Sequence, residues 1–183
     1  ALLLAVFCNL FQSRNFLWGA DGGWAQTLTA RSALKGILLY LKENGKFSDR
    51  NAQILVPQWT CNSVHQTIQK VCSPVNRPTP GIVGVMIYHQ YGFKQNISAI
   101  NEICNDRNLF ILENSVNCFE SFWSQDKSVN QNIRVASIFS WSKLFPVIMG
   151  GAFQTEDENL LLFFEQYNKK SSKFVEWWVP LTR

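Results

Sequence analysis

Short, unbroken apolar runs alternate along this chain with segments whose apolar positions recur at helical spacing. "AQILVP" (52–57), "GIVGVMIYH" (81–89), "LFILEN" (109–114), "VASIFSW" (135–141) and "GGAFQT" (150–155) are of the first kind. Runs this short, without a polar face, predict strands covered on both sides. Between them, "RSALKGILLYLKENG" (31–45) places Ala33, Ile37, Leu38 and Leu41 on one helical face, with Thr27 or Thr29 as cap and Gly45 as stop. "CNSVHQTIQKVC" (61–72) predicts a helix starting at Asn62 or Ser63. "NISAINEICNDRN" (96–108) predicts one capped by Asn96, with Ile97, Ile100 and Ile103 inward. "DENLLLFFEQYNKKSS" (157–172) predicts another from near Asp157, and "LLLAVFCNLFQSR" (2–14) a first helix, buried or facing a partner. The glycine-rich "LWGADGGWAQT" (17–27), "RPTPG" (77–81) and "SQDKSVNQN" (124–132) read as loops.

Alternation of buried strands with helices predicts an α/β protein with a mostly parallel sheet sandwiched by helices. Ligands of such sheets sit beyond the carboxyl ends of the strands. The segments in that position are Trp59–Cys61, His89–Tyr91, Glu113–Asn117 and Ser140–Lys143.

Composition narrows the class. At 183 residues the chain can form one substantial core, and 46% of it is hydrophobic. Only 16% is charged, against roughly 25% in an average soluble domain. Seven tryptophans and fourteen phenylalanines imply a large buried surface or apolar faces that meet a partner. The net charge of +4 comes without a basic run, which argues against nucleic-acid binding. The opening "ALLLAVFC" is far shorter than the ~20 apolar residues of a membrane span, and no membrane association is expected. Five cysteines (8, 61, 72, 104, 118) include no CxxC, and neither His65 nor His89 completes a zinc spacing. Reduced thiols, no metal and a cytoplasmic location are the expectation. The "NIS" at 96–98 carries no weight as a glycosylation acceptor.

The candidate chemistry centres on "FSWSKLFPVIMGGAF" (139–153), whose single charge is Lys143. A lysine desolvated in an apolar strand-end pocket has a lowered pKa, and a neutral amine forms Schiff bases with carbonyls, pyridoxal phosphate among them. Gly150–Gly151 would let backbone approach a ligand closely. The alternative is a snorkelling lysine with its head in water.

Taken in order, "TARSAL" (29–34), "ILVPQWTCNSV" (54–64), "VMIYHQYG" (85–92), "LFILENSVNCFES" (109–121) and the Lys143 segment resemble the DegT/StrS-type aminotransferases over roughly residues 25–165. The resemblance implies the large domain of a fold type I pyridoxal-phosphate transferase. Residues 1–24 would be an N-terminal helix and loop, 25–165 the cofactor-binding core and 166–183 the start of a truncated C-terminal part, the small C-terminal domain being missing. It implies a cytoplasmic homodimer transferring an amino group, by habit from glutamate, to a nucleotide-linked keto-sugar. Lys143 matches the lysine of the internal aldimine. Ala30, Arg31 and Ser32 match the helix start that holds the cofactor phosphate, consistent with the affinity of helix N-termini for anions. Ser140 matches a serine near that phosphate. Asn114 falls where the family has the aspartate facing the pyridine nitrogen, and Asn117 near a glutamine that contacts the ring hydroxyl. His89 and Tyr91 match the "HxYG" strand end, read as lining the substrate pocket.

The sequence also departs from the pattern. Asn114 cannot supply the charge that keeps the pyridinium protonated. Cys61 stands where many members stack an aromatic ring on the cofactor, and Trp59 is the nearest substitute. Between Val75 and Gly81 a strand–helix segment is lacking. An aminotransferase-like protein of impaired or lost activity, serving as a binding or structural partner, is therefore the competing expectation.

Overall fold

A computed structural model describes residues 23–48, 50–119, 121 and 133–175, with side chains to residue 167. The predicted first helix (2–14), the 124–132 loop and the aromatic end from Glu176 lie outside the described residues.

Seven strands form one sheet. They are β1 (Gly23–Thr27), β2 (Gln53–Leu55), β3 (Ser73–Val75), β4 (Ile82–Tyr88), β5 (Phe110–Asn114), β6 (Arg134–Ser140) and β7 (Gly151–Thr155). Their spatial order is β1-β7-β6-β5-β4-β2-β3. Strands β6, β5, β4, β2 and β3 pair in parallel, while β7 runs antiparallel to both β6 and β1. The helices are α1 (Ala30–Glu43), α2 (Asn62–Gln69), α3 (Ile97–Asp106), the single turn α4 (Trp141–Leu144) and α5 (Glu158–Val175). Among the described residues no helix is long and apolar enough to cross a membrane.

The expected α/β sandwich is present. On one face, Ala33, Leu34, Ile37, Leu38 and Leu41 of α1 pack with Ile68, Leu160 and Phe164 against Phe110, Leu112, Met86, Ala136 and Ile138. On the other, Ile97 and Cys104 of α3 cover Ile87, Ile111 and Ile133. The central strands β4, β5 and β6 therefore serve two cores, which explains their unbroken apolar sequences. In α3, Cys104 takes the buried place expected of Ile103, which is exposed. Thr29 is the cap of α1, its Oγ1 accepting from the Ser32 amide at 3.1 Å, and Gly45 follows the helix with φ of 71°. Asn96 caps α3, accepting from the Ala99 amide at 3.2 Å.

Two strands differ from the sequence expectation. β1 lies in the stretch read as a loop because of its glycines. Gly23 is there for packing, since a Cβ would lie 2.1 Å from Leu161 Cδ1, and the five-residue register with β7 supplies the strand. β3 is a three-residue edge strand containing Pro74, too short to leave a periodic signal.

Candidate active site

Alternation along β5 sends neighbouring polar residues to opposite faces, and this sorts the candidate residues. Asn114 shares the α1 face with Met86, its Nδ2 lying 3.9 Å from the thioether sulfur. Glu113 points to the α3 face.

On the α1 face the strand ends bring most of the predicted residues together. Tyr88 is directly opposite Asn114 in the β4–β5 register. Asn117 donates from Nδ2 to the Tyr88 hydroxyl at 3.0 Å. Ser140, at the end of β6, is buried, with its hydroxyl 3.3 Å from that of Ser142. The N-terminus of α1 reaches the same place through the glycine pair. Gly150 bridges to Thr29, and its carbonyl accepts from the Trp141 amide at 3.0 Å. A Cβ on Gly151 would lie 2.2 Å from the Ala30 nitrogen and 2.3 Å from the Thr29 carbonyl carbon. Only glycine permits that approach, so the pair joins the Ala30–Ser32 turn to the turn that carries Lys143.

Lys143 itself is exposed. This corrects the expectation of a desolvated lysine. The apolar residues around it in sequence anchor its turn instead. Trp141 is buried and packs on Trp24, Phe139 and Phe145, with ring centroids 6.4, 6.1 and 6.1 Å apart. At about 100° per residue, a helix that buries position 141 and packs 144 and 145 against the same cluster turns position 143 outward.

Cys61 is exposed and precedes α2, its sulfur 3.2 Å from the Ser63 hydroxyl. That hydroxyl and the Ser63 backbone hold the thiol below its ordinary pKa, against a small opposing effect of burial, and the charges of Lys143 and Arg31 act in the same direction. The starts of α1 and α2 and the lysine turn therefore share one electrostatic neighbourhood. Trp59 is 61% exposed in the turn before Cys61. Between them Thr60 is 6% exposed, and its Oγ1 has no hydrogen-bond partner among the described residues. Thr60 lies within the Trp59–Cys61 strand-end segment, without a role of its own assigned from the sequence.

His89 is placed differently from the pocket-lining expectation. It is fully buried on the α3 face, with Nε2 2.8 Å from Glu113 Oε1. Its Nδ1 accepts from the Gln95 amide at 3.2 Å, so the proton sits on Nε2 and is donated to the carboxylate. Ser121 and Ser137 donate to the other carboxylate oxygen, and Arg134 donates to Ser137 at 3.2 Å. Burial alone would push the Glu113 carboxyl up; the hydrogen bonds from His89, Ser121 and Ser137 outweigh it and hold the group below its usual range. This network ties β4, β5 and β6 together beneath the site. It also holds the Gln90–Gly92 turn, since the Gly92 amide donates to the His89 carbonyl at 3.1 Å. Tyr91 projects from that turn, 78% exposed, with φ of 55°.

The mostly parallel seven-stranded sheet sandwiched by helices, with the start of α1 and a lysine turn brought together through the glycine pair, is the fold of the type I transferase class. The chain belongs to the DegT/DnrJ/EryC1/StrS aminotransferase family, whose profile matches residues 29–177. Its fold is similar to that of Helicobacter pylori PseC, an aminotransferase involved in the biosynthesis of pseudoaminic acid. The TM-score is 0.64 at 17% identity, over 78% of this chain and 42% of that one. It is similar to S. venezuelae DesV, solved with a ketimine intermediate (TM-score 0.65, 16% identity, 86% and 50% covered). It is also similar to NtdA of Bacillus subtilis with bound cofactor PMP (0.60, 14%, 86% and 42%). The chain thus spans about half or less of the length of these solved relatives. Comparison with curated proteins finds no match.

Proposed function

We propose that this chain carries the pyridoxal-phosphate site of an aminotransferase acting on a nucleotide-linked keto-sugar, with Lys143 as the covalent anchor. The observation that supports this reading is the close approach of Gly151 to the start of α1, which ties that helix start to the turn bearing Lys143, with Asn114 and Ser140 at the ends of neighbouring strands. When bound, the cofactor supplies an aldehyde that captures amines and a ring that withdraws electrons from the bond being broken.

The residues present suit that group. The Ser32 amide is already taken by Thr29. The amides of Ala30 and Arg31 and the Arg31 guanidinium would meet a phosphate, and the Ser32 and Ser140 hydroxyls, now against Thr29 and Ser142, could turn to it. The buried Thr60 hydroxyl, without a partner among the described residues, could be a further donor. By the family resemblance Asn114 would meet the ring nitrogen, and Asn117, which donates to the Tyr88 hydroxyl, the ring hydroxyl. Trp59 and Cys61 would cover the ring. Lys143, on a rigidly anchored turn with its amine in solvent, is free to bond the cofactor carbon and afterwards carry a proton. Tyr91 stands at the substrate side, and His89 holds Tyr91's turn from beneath. Glutamate as amino donor, a homodimer and a cytoplasmic location follow from family habit.

Titrating the protein with pyridoxal phosphate and then adding glutamate tests the reading. Saturable visible absorption, followed by donor-dependent conversion of the bound cofactor to its amino form, is expected. Absence of saturable binding would contradict it. Binding without conversion would favour the competing reading of an aminotransferase-like binding protein, for which Asn114 is the specific observation.

A further inference from the structure

We propose that Asn114 presents a hydrogen-bond donor to the ring nitrogen of the cofactor, so that this protein holds the pyridine unprotonated. The inference rests on the cofactor reading above and concerns the electronic state in which the site would keep the ring.

The orientation of the Asn114 amide follows from its surroundings. The Val116 backbone N–H donates to Asn114 Oδ1 at 3.4 Å. An amide nitrogen cannot accept that bond, so the oxygen is turned toward the loop. Nδ2 then points the other way, where its neighbour is Met86 Sδ at 3.9 Å. A thioether is a weak acceptor and can occupy at most one of the two N–H bonds. A residue this buried therefore offers a donor with capacity to spare. A pyridine nitrogen facing an N–H must supply its lone pair. A pyridinium N–H in the same place would oppose donor to donor.

The charges nearby act in the same sense. Glu113, one residue earlier, faces away and is committed to His89, Ser121 and Ser137. Among the described residues, Lys143 and Arg31 both act on Cys61 at the start of α2, and both are cations. Cations disfavour protonation of a neighbouring base. Tyr88, directly opposite Asn114, receives a hydrogen bond from Asn117.

The test uses cofactor labelled with 15N at the ring nitrogen and loaded onto the whole chain. Loading is established first by the visible band and by recovery of the borohydride-reduced label on the Lys143 peptide. The ring-nitrogen resonance is then followed against pH, beside free cofactor. The wild-type resonance should stay at the unprotonated limit at pH values where the free ring protonates. The Asn114→Asp variant should move to the protonated limit. A wild-type resonance at the protonated limit overturns the proposal, and that measurement stands even if the buried aspartate prevents folding. Failure of the protein to load overturns the cofactor reading itself, and the proposal with it.

Discussion

Removing the Glu113 carboxylate should cost the protein about 3 kcal/mol of stability, and the figure can be worked from its partners. Glu113 and His89 are both fully buried, and Glu113 accepts from His89 Nε2, Ser121 and Ser137. In Glu113→Ala the two serines can turn to each other, since their hydroxyls are already 2.9 Å apart. Arg134 keeps Glu156 at 3.5 Å. The loss therefore falls mainly on His89, whose Nε2–H would lose its acceptor, and on the cavity where the carboxylate was. An unsatisfied buried donor costs ~1–3 kcal/mol, and breaking a buried pair on one side ~3–5 kcal/mol. Glu113→Gln, which keeps one acceptor, should lose about half as much. Urea unfolding at pH 7 reads both. The pH dependence has a definite sign. The folded carboxyl is held below its unfolded value, so its contribution is complete above the ordinary glutamate pKa of ~4.3 and is lost as pH falls through the folded value. The difference between wild type and Glu113→Ala should therefore shrink on acidification below about pH 4. A Glu113→Ala loss under about 1 kcal/mol, or a difference that does not change in acid, would refute the account of this network.

Gly151→Ala should destabilise by ~1–3 kcal/mol, because the clash is with backbone of Thr29 and Ala30 and no side chain can yield; chemical unfolding measures it, and cofactor affinity should fall with it. Lys143→Ala should leave stability within about 0.5 kcal/mol, the side chain being exposed, yet abolish covalent cofactor labelling by borohydride. Trp141→Ala should cost ~3–5 kcal/mol by emptying the aromatic cluster beneath the lysine turn. Iodoacetamide at neutral pH should modify Cys61 ahead of Cys72 and Cys104. Burial pushes those two thiols up to about 12 and about 11, whereas the Cys61 thiol is exposed and lowered. Peptide mapping reads the order, and loading with pyridoxal phosphate should slow the Cys61 reaction.

The parallel core was legible because β4, β5 and β6 are buried on both faces, and that condition writes itself as unbroken apolar runs. Thr29 and Asn96 were legible as caps because capping needs a short polar side chain at one position. β1 was hidden because Gly23 answers to Leu161, far away in sequence, and not to a local turn. The site divided in the same manner. Strand-end position marked Asn114, Asn117, Ser140 and Lys143, but it cannot tell the two faces of a sheet apart. His89 was read with the rest although a one-residue alternation sends it beneath the site, to Glu113. The apolar neighbours of Lys143 raised the expectation of a buried amine, whereas they bury Trp141 and Phe139 and leave the lysine in solvent.

The central claim is that Lys143 anchors a cofactor on the Asn114 face. Borohydride reduction of the protein incubated with pyridoxal phosphate, followed by peptide mapping, tests it most directly. Stoichiometric label on Lys143, lost in Lys143→Ala, is the predicted result. Label spread over the other lysines, unchanged in that variant, would contradict it.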